Sequence, residues 1–115
     1  MIKIKELEKL AEEITHWVVT ENNSLEKVIK GHIGTNILQV TNRSMSPELN
    51  SYRVSLHNLL YGGLQAEFSY DHKRGESEES EVLGIFRLAD RKAAHYADED
   101  MQKEFINEEF YRFIE

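Results

Sequence analysis

Apolar residues recur at helical spacing in the first stretch of the chain. Leu7, Leu10, Ala11, Ile14, Trp17 and Val18 fall at i, i+3, i+4, i+7, i+10 and i+11, with Glu6, Lys9, Glu12, Glu13 and Thr20 opposite. This stripe predicts a helix from about Lys3 to Glu21. Asn22-Asn23 interrupts it. Asn23 and Glu26 then make a capping-box-like start. Leu25, Val28 and Ile29 share one face, which predicts a short second helix ending at Gly31, a suitable residue just past a helix C-terminus. Ile37, Leu38 and Val40 lie in the β-branched stretch from Thr35 to Thr41, a predicted strand.

Ser46 is a good N-cap, Pro47 suits the first helical position and Glu48 complements the helix dipole. Leu49, Tyr52, Leu56, Leu59 and Leu60 continue at helical spacing, and Gly62-Gly63 stops them. A third helix is expected there. Leu64, Ala66, Phe68 and Tyr70 alternate with Gln65, Glu67, Ser69 and Asp71, the pattern of a half-buried strand. Val82 to Leu88 is apolar on both faces until Arg87, which predicts a more interior strand. The polar segment from Asp71 to Ser80 would then be a long hairpin tip. Ala93 to Ala97 fits either a strand or a helix start. A last helix is expected from about Asp98 to Ile114, with Ile106, Phe110 and Phe113 as its stripe. These elements predict an α+β fold, a small mostly antiparallel sheet of about three strands packed against three to four helices, in one domain spanning residues 1–115.

Charge adds a functional expectation. The net charge is −7 over 115 residues. From Asp98 onward, Asp98, Glu99, Asp100, Glu104, Glu108, Glu109 and Glu115 face only Lys103 and Arg112, so this end carries about −5 of the total. Acidity of this kind disfavours passive binding to nucleic acid or an anionic membrane and favours basic surfaces. No apolar run approaches the ~18 residues of a membrane span. The start, Met1-Ile2-Lys3-Ile4-Lys5-Glu6, has no apolar signal region. The chain has no cysteine, which excludes a disulfide framework, a thiolate metal site and a cysteine nucleophile and fits a reducing cytoplasm.

No catalytic motif accompanies the charge, which argues against an enzyme, and no cofactor is expected. Glu13-Ile14-Thr15-His16 matches Glu-x-x-His, but the di-iron sites that use it need a second copy, so no metal is assigned. The expected function is that of a small non-catalytic binding protein, an inhibitor, immunity-type or phage-type regulator. It would dock on and occlude a basic surface of a protein partner, a nucleic-acid-binding surface among the candidates, through Glu76, Glu78, Glu79, Glu104, Glu108 and Glu115. An alternative is a small-ligand domain or small enzyme. Asn50, Arg53, His57 and Tyr61 would form a polar row on the proline-started helix, with Arg53 as fork donor, His57 as proton carrier and Glu67 near it. A third reading is a structural component of a phage or cellular assembly. A homodimer through the first helix's apolar face is a further expectation.

Overall fold

The computed structural model describes residues 2–77 and 80–98, with side chains as far as residue 95. Helix α1 (Ile4–Glu13) is followed by five strands: β1 (Trp17–Asn22), β2 (Glu26–Ile33), β3 (Asn36–Ser46), β4 (Leu49–Asn58) and β5 (Gly63–Lys73). Helix α2 (Glu81–Asp98) comes last among the described residues. Each strand pairs antiparallel with the next, so the sheet runs β1-β2-β3-β4-β5 in chain order.

The expected sheet of about three strands with three to four helices is therefore replaced by five strands and two helices among the described residues. The reasons are local. The first apolar stripe is real, but only its first part is helical. Ile14 is already extended, with φ −68° and ψ 125°. The run Thr15 to Thr20 is rich in β-branched and aromatic residues, which favour a pleated surface. Ile14 and Trp17 keep facing the core as the chain turns into β1, so the helical spacing outlasts the helix.

The predicted second helix is β2. The Asn23 side chain does accept from backbone N–H groups two and three residues on, from Leu25 and Glu26 at 2.9 Å each. The same chemistry closes a turn as readily as it caps a helix, and here it joins β1 to β2. The proline-started helix is β4. Ser46 Oγ accepts from Glu48 N at 3.3 Å within the β3–β4 turn. Beyond it, Tyr52, Val54 and Leu56 alternate with Arg53, Ser55 and His57. The predicted strand over Val82 to Leu88 is the first half of α2. Ser80 Oγ accepts from Val82 N at 3.1 Å and Leu83 N at 3.4 Å, an N-cap. Val82, Ile85, Phe86, Ala89 and Ala93 are buried at helical spacing. Ala93 to Ala97 belongs to this helix, and of the expected hairpin tip Asp71 to Lys73 end β5, after which the chain leads to this helix rather than to another strand. The strand expected from Thr35 to Thr41 falls in β3 except for Thr35, which is in the preceding turn, and Leu64–Tyr70 falls in β5, where the register shift between Leu56 and His57 puts Leu64 on the face opposite Ala66, Phe68 and Tyr70. The helix expected beyond Asp98 falls outside the described residues.

Both helices cover one face of the sheet. Ile29, Val40, Val54 and Phe68 sit side by side across β2 to β5, and Gly31, Leu38, Leu56 and Ala66 form the next row. These rows meet Leu7, Ala11, Ile14, Trp17, Ile85, Phe86 and Ala89 in one core. Gly31 lies directly opposite Trp17. A Cβ at Gly31 would stand 2.7 Å from Ile14 Cγ2 and 2.8 Å from the Trp17 ring, so glycine is what lets the indole lie on the sheet.

Candidate functional site

The opposite face of the sheet is left open by the described residues. Strand alternation places there the rows His32–Ile37–His57–Leu64, Lys30–Gln39–Ser55–Glu67 and Val28–Thr41–Arg53–Ser69. The face mixes apolar, polar and charged side chains.

One end of it is shaped by the β4–β5 turn. Asn58 builds this turn from within. Its Oδ1 accepts from Leu60 N at 2.9 Å and Tyr61 N at 3.1 Å. Its Nδ2 donates to Thr35 Oγ1 at 3.2 Å and to Asn36 Oδ1 at 2.7 Å, tying the turn to the neighbouring β2–β3 turn. Leu59 N donates to Thr35 O at 2.9 Å. Gly62 and Gly63, at φ +70° and +148°, take the chain back into β5 through backbone conformations that favour glycine. With every backbone step thus held, the side chains of the turn point outward. Leu59 is 62% exposed, Leu60 76%, Tyr61 78% and the adjoining Leu64 53%. Four large apolar residues within six positions make a solvent-facing knob.

Between this turn and the sheet lies a cavity of about 400 Å³ lined by Lys30, Ile37, Gln39, His57, Asn58 and Leu59 together with Gly62 and Gly63. A smaller cleft of about 240 Å³ lies between the helices, where Glu8 and Glu12 of α1 face Glu81, Gly84 and Ile85 of α2.

The expected polar row comes apart in part. On a strand, Arg53, His57 and Glu67 share the open face, Asn50 has the parity of the helix-covered face, and Tyr61 stands in the turn. Glu67 engages Arg53, with Nε 3.0 Å from Oε1. His57 lines the cavity instead, opposite Ile37 and Leu64. Glu76 is exposed and accepts from Lys73 N through Oε2 at 3.2 Å. Glu78, Glu79, Glu104, Glu108 and Glu115 lie outside the described residues. The Glu13–His16 spacing is not helical, because α1 ends at Glu13. The apolar face of α1 is buried in the core, with Leu7 and Ala11 at 0% exposure, so it offers no dimer surface.

Leu64 was hidden by its alternation with Ala66, Phe68 and Tyr70, which put it on the buried face of a strand, and Leu59 and Leu60 were hidden by the helical reading, which made them core residues. The signal that finds them is an apolar triplet held between a turn-forming asparagine and a glycine pair. Lys30 and Gln39 carry no motif and join the site only through strand register.

Comparison of the chain with protein-family models, curated proteins and solved structures finds no match. Among the described residues, no helix is long and apolar enough to cross a membrane.

Proposed function

We propose that this chain is a small non-catalytic binding protein that docks on and occludes a protein partner with a basic surface. The observation that carries the reading is the β4–β5 turn, where Leu59, Leu60, Tyr61 and Leu64 stand more than half exposed on a backbone fixed by Asn58. Exposed apolar clusters on a rigid support mark contact surfaces, and tyrosine is a favoured anchor in them. A basic partner is supported by the net charge of −7 and by the acidic cleft of Glu8, Glu12 and Glu81. Such charge speeds encounter and makes binding salt-sensitive.

The test is affinity capture from source lysate by the wild-type chain and by a Leu60→Asp/Tyr61→Asp variant, washed in a salt series. The expected result is a basic protein held by the wild type at low salt, released at high salt and not held by the variant. Undiminished capture by a folded variant removes the turn from the proposal. No specific protein at any salt overturns it.

The cavity beside His57 favours a second reading, a small-ligand site. Its volume falls in the range of ligand pockets, about 300–1,000 Å³, and Lys30 and His57 beside Ile37 and Leu59 suit an anion on an apolar body. Shifts of the His57 and Lys30 resonances on adding a short-chain carboxylate would support it. Unmoved resonances at millimolar carboxylate would exclude that ligand class.

A further inference from the structure

The sheet ends in two unlike edges. β1 is six residues long and its register with β2 is broken between Val19 and Glu21. Short, bulged edges resist pairing. β5 is eleven residues long, and its register with β4 is unbroken from Ala66 to Lys73. No described strand pairs with its outer side. On the helix-covered face, Phe68, Tyr70 and His72 are only half-buried, whereas Val54 and Leu56 of the neighbouring strand are at 0% and 5% exposure. The outer flank of the core is thus thinner at β5 than one strand further in.

We propose that β5 pairs with β5 of a second copy of this chain, antiparallel and with Tyr70 opposite Tyr70, to give a continuous sheet of twice the width. A two-fold axis normal to the sheet is required for identical antiparallel strands, and it keeps the helices of both copies on the same side. Directly opposed residues then have the same parity, so the register can shift only in steps of two. Two registers each overlap seven of the eight residues in the unbroken part of β5. With Ser69 at the axis, Glu67 meets Asp71 of the other copy twice, and like charges directly opposite are unfavourable. With Tyr70 at the axis, the Glu67 side chain meets that of Lys73 twice, Phe68 meets His72 and Ser69 meets Asp71, and the backbone ladder runs through Ser69 and Asp71 because Lys73 N and O are already engaged by Glu76. Charge therefore selects the Tyr70 register. Glu67 reaches Arg53 through Oε1 on its own copy, beside the edge. The same charges that suit one register repel the other, which blunts indiscriminate edge pairing.

The chain lacks cysteine, so introduced thiols report on the register without background. The full-length chain is examined by sedimentation over a concentration series, and single variants Ser69→Cys, Tyr70→Cys and Asp71→Cys are oxidised mildly. The expected result is a concentration-dependent species near twice the 13.5 kDa chain mass, with covalent dimer forming several-fold faster from Tyr70→Cys than from either neighbour. Glu67→Lys and Lys73→Glu should each weaken the dimer at least tenfold, and the two together should restore it. This charge exchange tests the register even where the cysteine variants fold poorly. A monomer at all concentrations overturns the proposal. So does a dimer that cross-links best through Ser69→Cys, or one that the double charge exchange fails to restore.

Discussion

Lys92 of α2 donates from Nζ to the carbonyl oxygen of Ile14, 2.8 Å away, at the end of α1. The same ammonium donates to Ala11 O at 3.1 Å and Glu12 O at 2.8 Å. A helix C-terminus leaves carbonyls without intrahelical partners and carries partial negative charge. One lysine on the last described element thus closes the first helix. Lys92→Met keeps the length of the stem and removes the donors. It should lower stability by about 1.5–3 kcal/mol, the worth of hydrogen bonds to a charged group, read as a lower urea midpoint at unchanged slope. A midpoint equal to wild type would show that solvent replaces the ammonium without loss.

Gly31 makes a different claim, about space. Gly31→Ala places a methyl group under the Trp17 ring and against Ile14. Overpacking of this kind costs about 1–3 kcal/mol. The chain's single tryptophan should report it, as a shifted emission maximum in the folded state together with the lower midpoint. Wild-type stability and emission would contradict the close stacking of Trp17 on β2.

Two leucines separate core from contact surface. Leu38 is 0% exposed and Leu60 is 76% exposed. Leu38→Ala should cost about 2–5 kcal/mol, while Leu60→Ala should change stability by no more than about 0.5 kcal/mol. Thermal or urea unfolding of the two variants decides it. A large loss from Leu60→Ala would mean that the β4–β5 turn is packed rather than presented.

Arg53 and Glu67 form a surface ion pair with side chains 60% and 38% exposed. Such pairs contribute little because water and salt screen them and both side chains must be ordered. A double-mutant cycle with Arg53→Ala and Glu67→Ala should give a coupling below about 1 kcal/mol. A coupling of several kcal/mol would identify this pair as a structural anchor of the open face.

The sequence disclosed local chemistry better than the element it served. Asn23 and Ser46 were legible as side chains that accept backbone N–H groups, whereas Ser80, which does the same, was placed at the end of a hairpin tip. Only Ser80 begins a helix, since an asparagine or serine closes a β-turn with the same hydrogen bonds. Alternation in Tyr52-Arg53-Val54-Ser55-Leu56-His57 is as plain as that in β5, but Leu49, Tyr52, Leu56, Leu59 and Leu60 also satisfy a helical spacing. The choice between the two is made by pairing with β3 and β5, which lie apart in sequence. The α2 stripe was masked because Val82 to Phe86 is apolar at almost every position, with Val82 and Ile85 facing the sheet and Leu83 also buried. Of the candidate site, His57 and Tyr61 were visible as residues worth watching. The knob and the cavity depend on a turn that exists only once β4 is a strand.

The most direct test of the account is the footprint of a bound partner on the isotope-labelled chain, read as amide shifts and broadening against the free protein. The account predicts that the strongest effects fall on Leu59 to Leu64, with weaker ones along the open-face positions Lys30, Ile37 and His57. Effects confined to the helix-covered side, with residues 59–64 unmoved in a saturated complex, would contradict it.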